Sequence, residues 1–422
     1  MKIAIWGQEL TAWVAAGTLA HAGNDVRIVN DSTDQDPTLR MGTNILNEPG
    51  LKDLICDEFA KGRLQFTTSG GATQFDIHLL CMNPSEFEEA KQIVSKLGKF
   101  TQNKLLVINQ SLFGVGCTDE LQSLLNKENN QIAAFLTENI AEGEALNNMR
   151  HPKAITLGCD NPWANMMIES LLRPFTRQLD QMLIMSTREA EFAKMATTGM
   201  LALRIGYINE LANLAEQLDV NIDVIRQSMG ADPRIGHHYL SPGCGFGGNS
   251  FSQSIKGLAD LLSEKRNSQL LDTVLRENEK QKEQCFRKLW RHYKADISGL
   301  QIAVWGASFK PGSSSLDGAP SLKIIEAIIA QGATVRIHDP EALDNIERLY
   351  GGHPQVITCK DKYEALANTD ALLILTEWDE YWSPDYEALL EQMRQPVIVD
   401  GRNVLSRDLL ESLGFTYYSI GR

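Results

Sequence analysis

Short apolar runs and helical stretches alternate along most of the chain. Lys2–Trp6 is an apolar run closed by Gly7, the pattern of a parallel strand buried on both faces. An alanine-rich helix over Thr11–Ala22 and a second strand over Asp25–Val29 follow, which predicts a βαβ opening of the dinucleotide-binding kind. Leu64–Thr68, Asp76–Met82, Lys104–Asn109, Ala133–Phe135 and Ala154–Leu157 read as further strands, with a helix over Pro84–Leu97. Thr187–Leu218 has no proline and keeps apolar residues at three-to-four spacing, which predicts one long helix. Ser254–Trp290 is again mostly helical. At Leu300 the strand–helix alternation restarts, with strands at Gln301–Val304, Thr334–Ile337, Ala371–Leu375 and Val397–Val399. The fold class expected is α/β: two Rossmann-like, doubly wound domains joined by a helical core with a long central helix. The boundaries fall at 1–185, 186–298 and 299–422.

One stretch departs from this alternation. Ala231–Leu258 holds five glycines between Gly236 and Gly248, too many for a helix or strand interior. Such a loop brings backbone close to a ligand, and Arg234 before it is a fixed fork for phosphate or carboxylate. Lys310, Glu377 and Arg402 each fall just beyond a predicted strand, where open α/β sheets bind ligands.

Composition narrows the partners. A chain of 422 residues calls for more than one core. A net charge of −14 without basic blocks argues against nucleic acid. No apolar run reaches the length of a membrane span. Seven scattered cysteines without CxxC spacing suggest a reduced, cytoplasmic protein with no structural metal.

The first turn is unusual. It reads Gly7-Gln8-Glu9-Leu10-Thr11-Ala12 where a dinucleotide fold has Gly-x-Gly-x-x-Gly. Glu9 brings a carboxylate to the helix N-terminus, the position a pyrophosphate would take. Asn30, with Asp31 next to it, stands where an acidic ribose ligand is expected. The cofactor-facing candidates are Gly7, Leu10, Asn30 and Asp31.

Taken together the landmarks resemble the UDP-glucose/GDP-mannose dehydrogenase family over essentially the whole chain. Gly243-Cys244-Gly245-Phe246-Gly247-Gly248-Asn249-Ser250-Phe251 is similar to its Gly-x-Gly-Phe-Gly-Gly-Ser-Cys-Phe-Pro-Lys-Asp signature. Asp232-Pro233-Arg234-Ile235-Gly236 resembles its lead-in, and Ala190-Glu191-Phe192-Ala193-Lys194 through Tyr207-Ile208-Asn209-Glu210 its central helix. Glu48-Pro49-Gly50-Leu51, Thr137-Glu138, Glu142-Gly143, Phe309-Lys310-Pro311, Thr376-Glu377-Trp378 and Asp400-Gly401-Arg402-Asn403 also fit.

The resemblance implies an NAD-dependent oxidoreductase that converts a sugar C6 alcohol to the acid by two hydride transfers, through a cysteine thiohemiacetal. It implies a homodimer acting in polysaccharide biosynthesis. Ser250, Lys194 and Glu138 occupy the catalytic positions; Arg234, Tyr239, Phe246, Gly247, Gly248, Lys310 and Arg402 occupy substrate positions. The departures fall on the chemistry. Ser250 replaces the cysteine, Gln253 the lysine, Ser254 the aspartate and Thr198 the central-helix asparagine; Leu112 replaces a threonine and Asp317 an arginine. The expectation is a pseudoenzyme that binds a nucleotide sugar, a UDP-sugar by preference, with NAD binding weak or lost. The alternatives are a divergent active dehydrogenase and a structural partner subunit. Cys244, between two glycines, reads as a spectator thiol.

Overall fold

The computed structural model describes the chain apart from residues 32–35, 39, 42–44, 46, 102–103, 138–139 and 177–181. It divides into two compact units, Met1–Ala196 and Thr197–Arg422.

The first unit carries β1 (Lys2–Trp6), β2 (Asp25–Val29), β3 (Leu64–Thr67), β4 (Ile77–Leu80), β5 (Leu105–Asn109), β6 (Gln131–Leu136), β7 (Ile155–Gly158) and β8 (Met182–Met185). They form one sheet in the order β3-β2-β1-β4-β5-β6-β7-β8, parallel except at β6 and β7. Ile3 and Ile5 face one buried layer, Ala4 and Trp6 the other, so β1 reads as a continuous apolar run. The helix Leu10–His21 buries nine of its residues, and the small side chains on it let Leu51–Ala60 pack closely across it.

The second unit repeats the arrangement with β9 (Gln301–Trp305), β10 (Thr334–His338), β11 (Val356–Thr358), β12 (Ala371–Ile374), β13 (Val397–Asp400) and β14 (Thr416–Ser419). Its order is β11-β10-β9-β12-β13-β14, wholly parallel. Ile302 and Val304 face one layer, Ala303 and Trp305 the other. In both units the order runs outward from the first strand as 3-2-1-4-5-6, the doubly wound pattern expected from the sequence. The topology places its candidate binding region beyond the carboxyl ends of β9, β12 and β13.

The long helix spans Thr187–Leu218 as its periodicity predicts. Ala202, Ile208, Ala212 and Ala215 are buried, whereas Met200, Tyr207, Leu214 and Leu218 are exposed. Three strands escaped the sequence reading: β8, β11 and β14. Among the described residues, no helix is long and apolar enough to cross a membrane, and no cluster of His, Cys, Asp or Glu side chains could hold a metal ion.

Candidate functional site

The glycine-rich loop of the second unit is buried from Pro242 to Gly248 and is held by its own backbone. Gly243 N–H donates to Asn209 Oδ1 at 2.9 Å, and Gly243 C=O accepts from Gln281 Nε2 at 2.7 Å. Phe246 donates its N–H to Asn278 Oδ1 at 2.9 Å and accepts from Asn278 Nδ2 at 3.0 Å. Cys244 N–H donates to Gly401 C=O, and Gly248 N–H to Asp317 C=O. A Cβ on Gly247 would meet Gly318 O at 2.6 Å, so the two segments touch only because that residue has no side chain. Asn278 and Gln281, three apart on the helix Leu270–Gln281, share one face and act as buried clamps. The sequence reading passed over both, because a polar pair on a helix looks like solvent-facing surface.

Arg402 packs against the loop. Its Nε donates to Leu375 C=O at 2.7 Å and lies 3.1 Å from Glu377 Oε2; its Nη1 reaches Gly245 C=O at 3.4 Å. Its Nη2 is buried with no hydrogen-bond partner among the described residues, so one donor of the fork is left for an outside acceptor. Asp400 sets this turn by accepting from the N–H groups of Arg402 and Leu405 and from Tyr417 Oη. Burial raises the Asp400 carboxyl above its ordinary pKa.

The structure thus gathers Phe246, Gly247, Gly248 and Arg402 around one loop. Gly248 abuts the Phe309 ring, and Lys310 Nζ lies 5.6 Å from that ring's centre. Arg234 stands outside the buried cluster: its side chain is 87% exposed and forks onto Asp232. Tyr239, 46% exposed, adopts a left-handed φ of 58°.

Ser250 is the second residue of the helix Asn249–Arg266 and is exposed. A serine hydroxyl there is a weaker nucleophile than a cysteine thiol unless a base activates it. Ser254 lies buried one turn later, and Gln253 Nε2 donates to Asn249 Oδ1. Cys244 is fully buried, its Sγ 3.7 Å from Leu375 C=O, which closes it to substrate.

In the first unit, Gly7 has φ of 117°, and a Cβ there would lie 1.8 Å from Cys81 O. Leu10 opens the helix that follows. Glu9 is its N-cap residue, but the Glu9 side chain is exposed and caps nothing. The expectation that Glu9 fills the anion position is corrected: its exposed carboxylate caps none of the first-turn amides, and it is the Glu9 C=O that accepts from Ala12 N–H. Asn30 ends β2, donating its N–H to Thr67 C=O. Asp31 accepts from Ser69 N–H at 2.7 Å and from Ser69 Oγ at 2.5 Å, bonds that hold its carboxyl below the usual pKa.

Lys194 is half-buried on the long helix, and Glu138 lies outside the described residues. Glu191, one turn before Lys194, is buried and accepts from Gly116 N–H, Thr118 N–H and Thr118 Oγ1. Glu48 joins two of the sequence landmarks by accepting from Gly143 and Ala145 N–H, both at 2.7 Å.

A doubly wound sheet with an open glycine turn, followed by a second such sheet with a buried glycine loop and an arginine fork, defines a two-unit nucleotide-binding α/β protein. Residues 1–176 match the NAD binding domain of the UDP-glucose/GDP-mannose dehydrogenase family, residues 188–280 its central domain and residues 303–407 its UDP binding domain. The chain belongs to this family. It is 31% identical to a UDP-glucose 6-dehydrogenase of Pseudomonas aeruginosa, over 100% of this chain and 98% of that protein. It is 30% identical to a UDP-glucose 6-dehydrogenase of Rhizobium meliloti, over the whole of both. Its fold matches a UDP-glucose dehydrogenase from Pyrobaculum islandicum with a TM-score of 0.82 at 23% identity, covering 100% of this chain and 97% of that one. A UDP-D-ManNAc dehydrogenase from Pyrococcus horikoshii gives the same score at 22% identity, covering 100% and 99%.

Proposed function

We propose that this protein binds a nucleotide sugar, a UDP-sugar by preference, in its second unit and does not complete the four-electron oxidation. The observation that carries the reading is Ser250. A serine hydroxyl is a weaker nucleophile than a cysteine thiol, and covalent capture of an aldehyde needs a good one. Lys310 and the Nη2 of Arg402, which has no partner among the described residues, supply cationic groups for a diphosphate beside the glycine loop. Arg234 and Tyr239, exposed as they are, would serve only if a ligand or a second copy came to them. Residues 1–185, 186–298 and 299–422 act in this reading as cofactor, central and sugar-nucleotide parts. The exposed Met200, Tyr207 and Leu214, seven apart on the long helix, fit a homodimer contact.

The test is calorimetric titration with UDP-glucose, together with NADH formation from UDP-glucose and NAD. Saturable binding without NADH formation is expected, and sustained NADH formation overturns the proposal. Ser250→Cys alone should restore little turnover, because Gln253, Ser254 and Thr198 also depart from the family pattern.

A second reading, an active dehydrogenase that stops after one hydride transfer, is favoured by the open turn at Gly7. Bound NAD would supply the hydride acceptor. The helix Leu10–His21, which no side chain caps, offers its N-terminus to a pyrophosphate. Lys194 and Glu138 would then stand at the positions that handle water and the oxyanion. Absence of any NAD affinity eliminates this reading.

A further inference from the structure

The second unit contains a cavity of about 630 Å³ separate from the glycine loop, where the long helix ends against the helix Gln284–His292 and the end of β14. That volume lies within the roughly 300–1,000 Å³ of small-molecule sites. Its lining is basic in a chain of net charge −14: five cationic side chains face two acidic ones.

Partners can be assigned to most of these charges. Lys288 pairs with Glu216 at 2.6 Å, and Glu216 also accepts from Gly421 N–H. Arg407 pairs with Glu411, and Arg422 reaches Asp223 at 3.2 Å. Two cations remain. Among the described residues, Arg291 and Lys294 have no side-chain hydrogen bond, ion pair or ring contact. The Nε of Arg422, in the same lining, is buried without a partner. Asp219 is the one lining carboxylate with no partner among the described residues.

The backbone adds a second observation. Lys294 has φ of 51° and Ala295 φ of 69°, two consecutive non-glycine residues in the left-handed region beyond the helix. Glycine would sit there at lower cost. A lysine stands where glycine is favoured, and this exposed residue is among those that line the cavity.

We infer that this cavity is a second anion site, which takes a small ligand carrying two or more phosphate charges through Arg291, Lys294 and Arg422. A planar fork and a mobile ammonium together suit adjacent phosphates better than a single carboxylate. The rings of His292 and Tyr418 in the lining give such a ligand flat surface. The site draws on none of the residues assigned to the sugar nucleotide, so it stands or falls independently of the proposed function.

The test is calorimetric titration of the full chain with inorganic pyrophosphate, with inorganic phosphate as the single-charge-centre comparison. Saturable pyrophosphate binding, tighter than phosphate and weakened by salt, is expected. The double variant R291A/K294A should weaken it by about tenfold or more. Asp219→Asn should tighten it by removing a repelling carboxylate. UDP-glucose binding should be unchanged in both, which also reports that they fold. Lys294→Gly should shift Tm upward while weakening pyrophosphate binding. The inference is overturned if pyrophosphate does not bind saturably, or if R291A/K294A leaves binding intact. It is also overturned if Lys310→Ala, rather than R291A/K294A, abolishes binding, because the anion is then held at the glycine loop.

Discussion

The two sheets share one strand order, yet their first turns are built in opposite ways. After β9, Asp339 accepts from Ala307 N–H, Ser308 N–H and Oγ, and Trp378 Nε1 on one oxygen, and from Glu341 and Ala342 N–H on the other. Thr376 Oγ1 donates to Ser308 C=O and Ser321 Oγ to Ala307 C=O. A carboxylate belonging to the chain thus occupies the anion position, and the turn is closed. After β1, neither of the carboxylates described near the turn does this. Glu9 points to solvent, Asp31 is taken up by Ser69, and the helix start is uncapped. One topology therefore yields a sealed turn and an open one, depending on whether the carboxylate at the end of the second strand reaches the first turn or swings away. Where it reaches, the ligand region shifts outward to the glycine loop and Arg402. Where it does not, the turn itself is available.

The contrast can be broken most forcefully at Asp339. Asp339→Ala leaves several buried donors without an acceptor and should destabilise the second unit by about 4 kcal/mol or more, whereas Asp31→Ala on the exposed counterpart should cost less than about 1 kcal/mol. Urea unfolding of both variants measures the difference, and equal costs would remove the distinction drawn here.

Next in size is an acid sensitivity of the first unit. His78 is buried, its Nδ1 accepting from Trp6 Nε1 at 3.0 Å while Nε2 donates to Phe75 C=O at 2.9 Å. Both ring nitrogens are therefore committed to a neutral imidazole, and burial lowers its pKa from 6.5 to about 4. The unfolded chain binds this proton and the folded one does not. The stabilisation is whole above pH 6.5 and is lost as pH falls from there towards 4, to a total of about 3 kcal/mol. Stability measured across that range should fall in the parent chain and flatten in His78→Gln.

A smaller cost, about 2–3 kcal/mol, is expected for Gly7→Ala, from a Cβ forced against Cys81 O at positive φ. Denaturation midpoints would report it. The smallest effect concerns the ligand. Glu9→Gly should tighten NAD by a few-fold, roughly the 0.3–1 kcal/mol of a charge at a helix end, with little change in stability. Unchanged NAD affinity would show that the solvent-facing carboxylate does not oppose the cofactor.

Sequence pattern was a good guide where an apolar run or an apolar period is unbroken. Lys2–Trp6, Asp25–Val29 and Thr187–Leu218 appear with the bounds their apolar spacing implies. It missed β11 and β14, short strands at the sheet edges, and β8, where Leu183 and Ile184 are exposed. Val356–Thr358 is too short to carry a period, and Thr416–Ser419 is polar at both ends. Around the site, the glycine loop and Arg402 were legible because glycine density and strand ends are visible in one dimension. Asn278 and Gln281 were not, because their partners lie 32 and 38 residues away on another element. Asp339 stands next to Pro340 in the chain, and nothing local shows that its carboxylate gathers six donors.

The clamps on the glycine loop bear on how it moves. A segment with this composition would ordinarily be read as pliable, free to fold over a ligand. Here the N–H groups of Gly243, Cys244, Phe246 and Gly248 are all donors to fixed acceptors. Their deuterium uptake should be as slow as that of the neighbouring strands, with no protection left for a ligand to add. Glycine serves closeness in this loop, not motion, and any induced fit belongs to the exposed flanks at Arg234–Tyr239 and Asn249–Ser250.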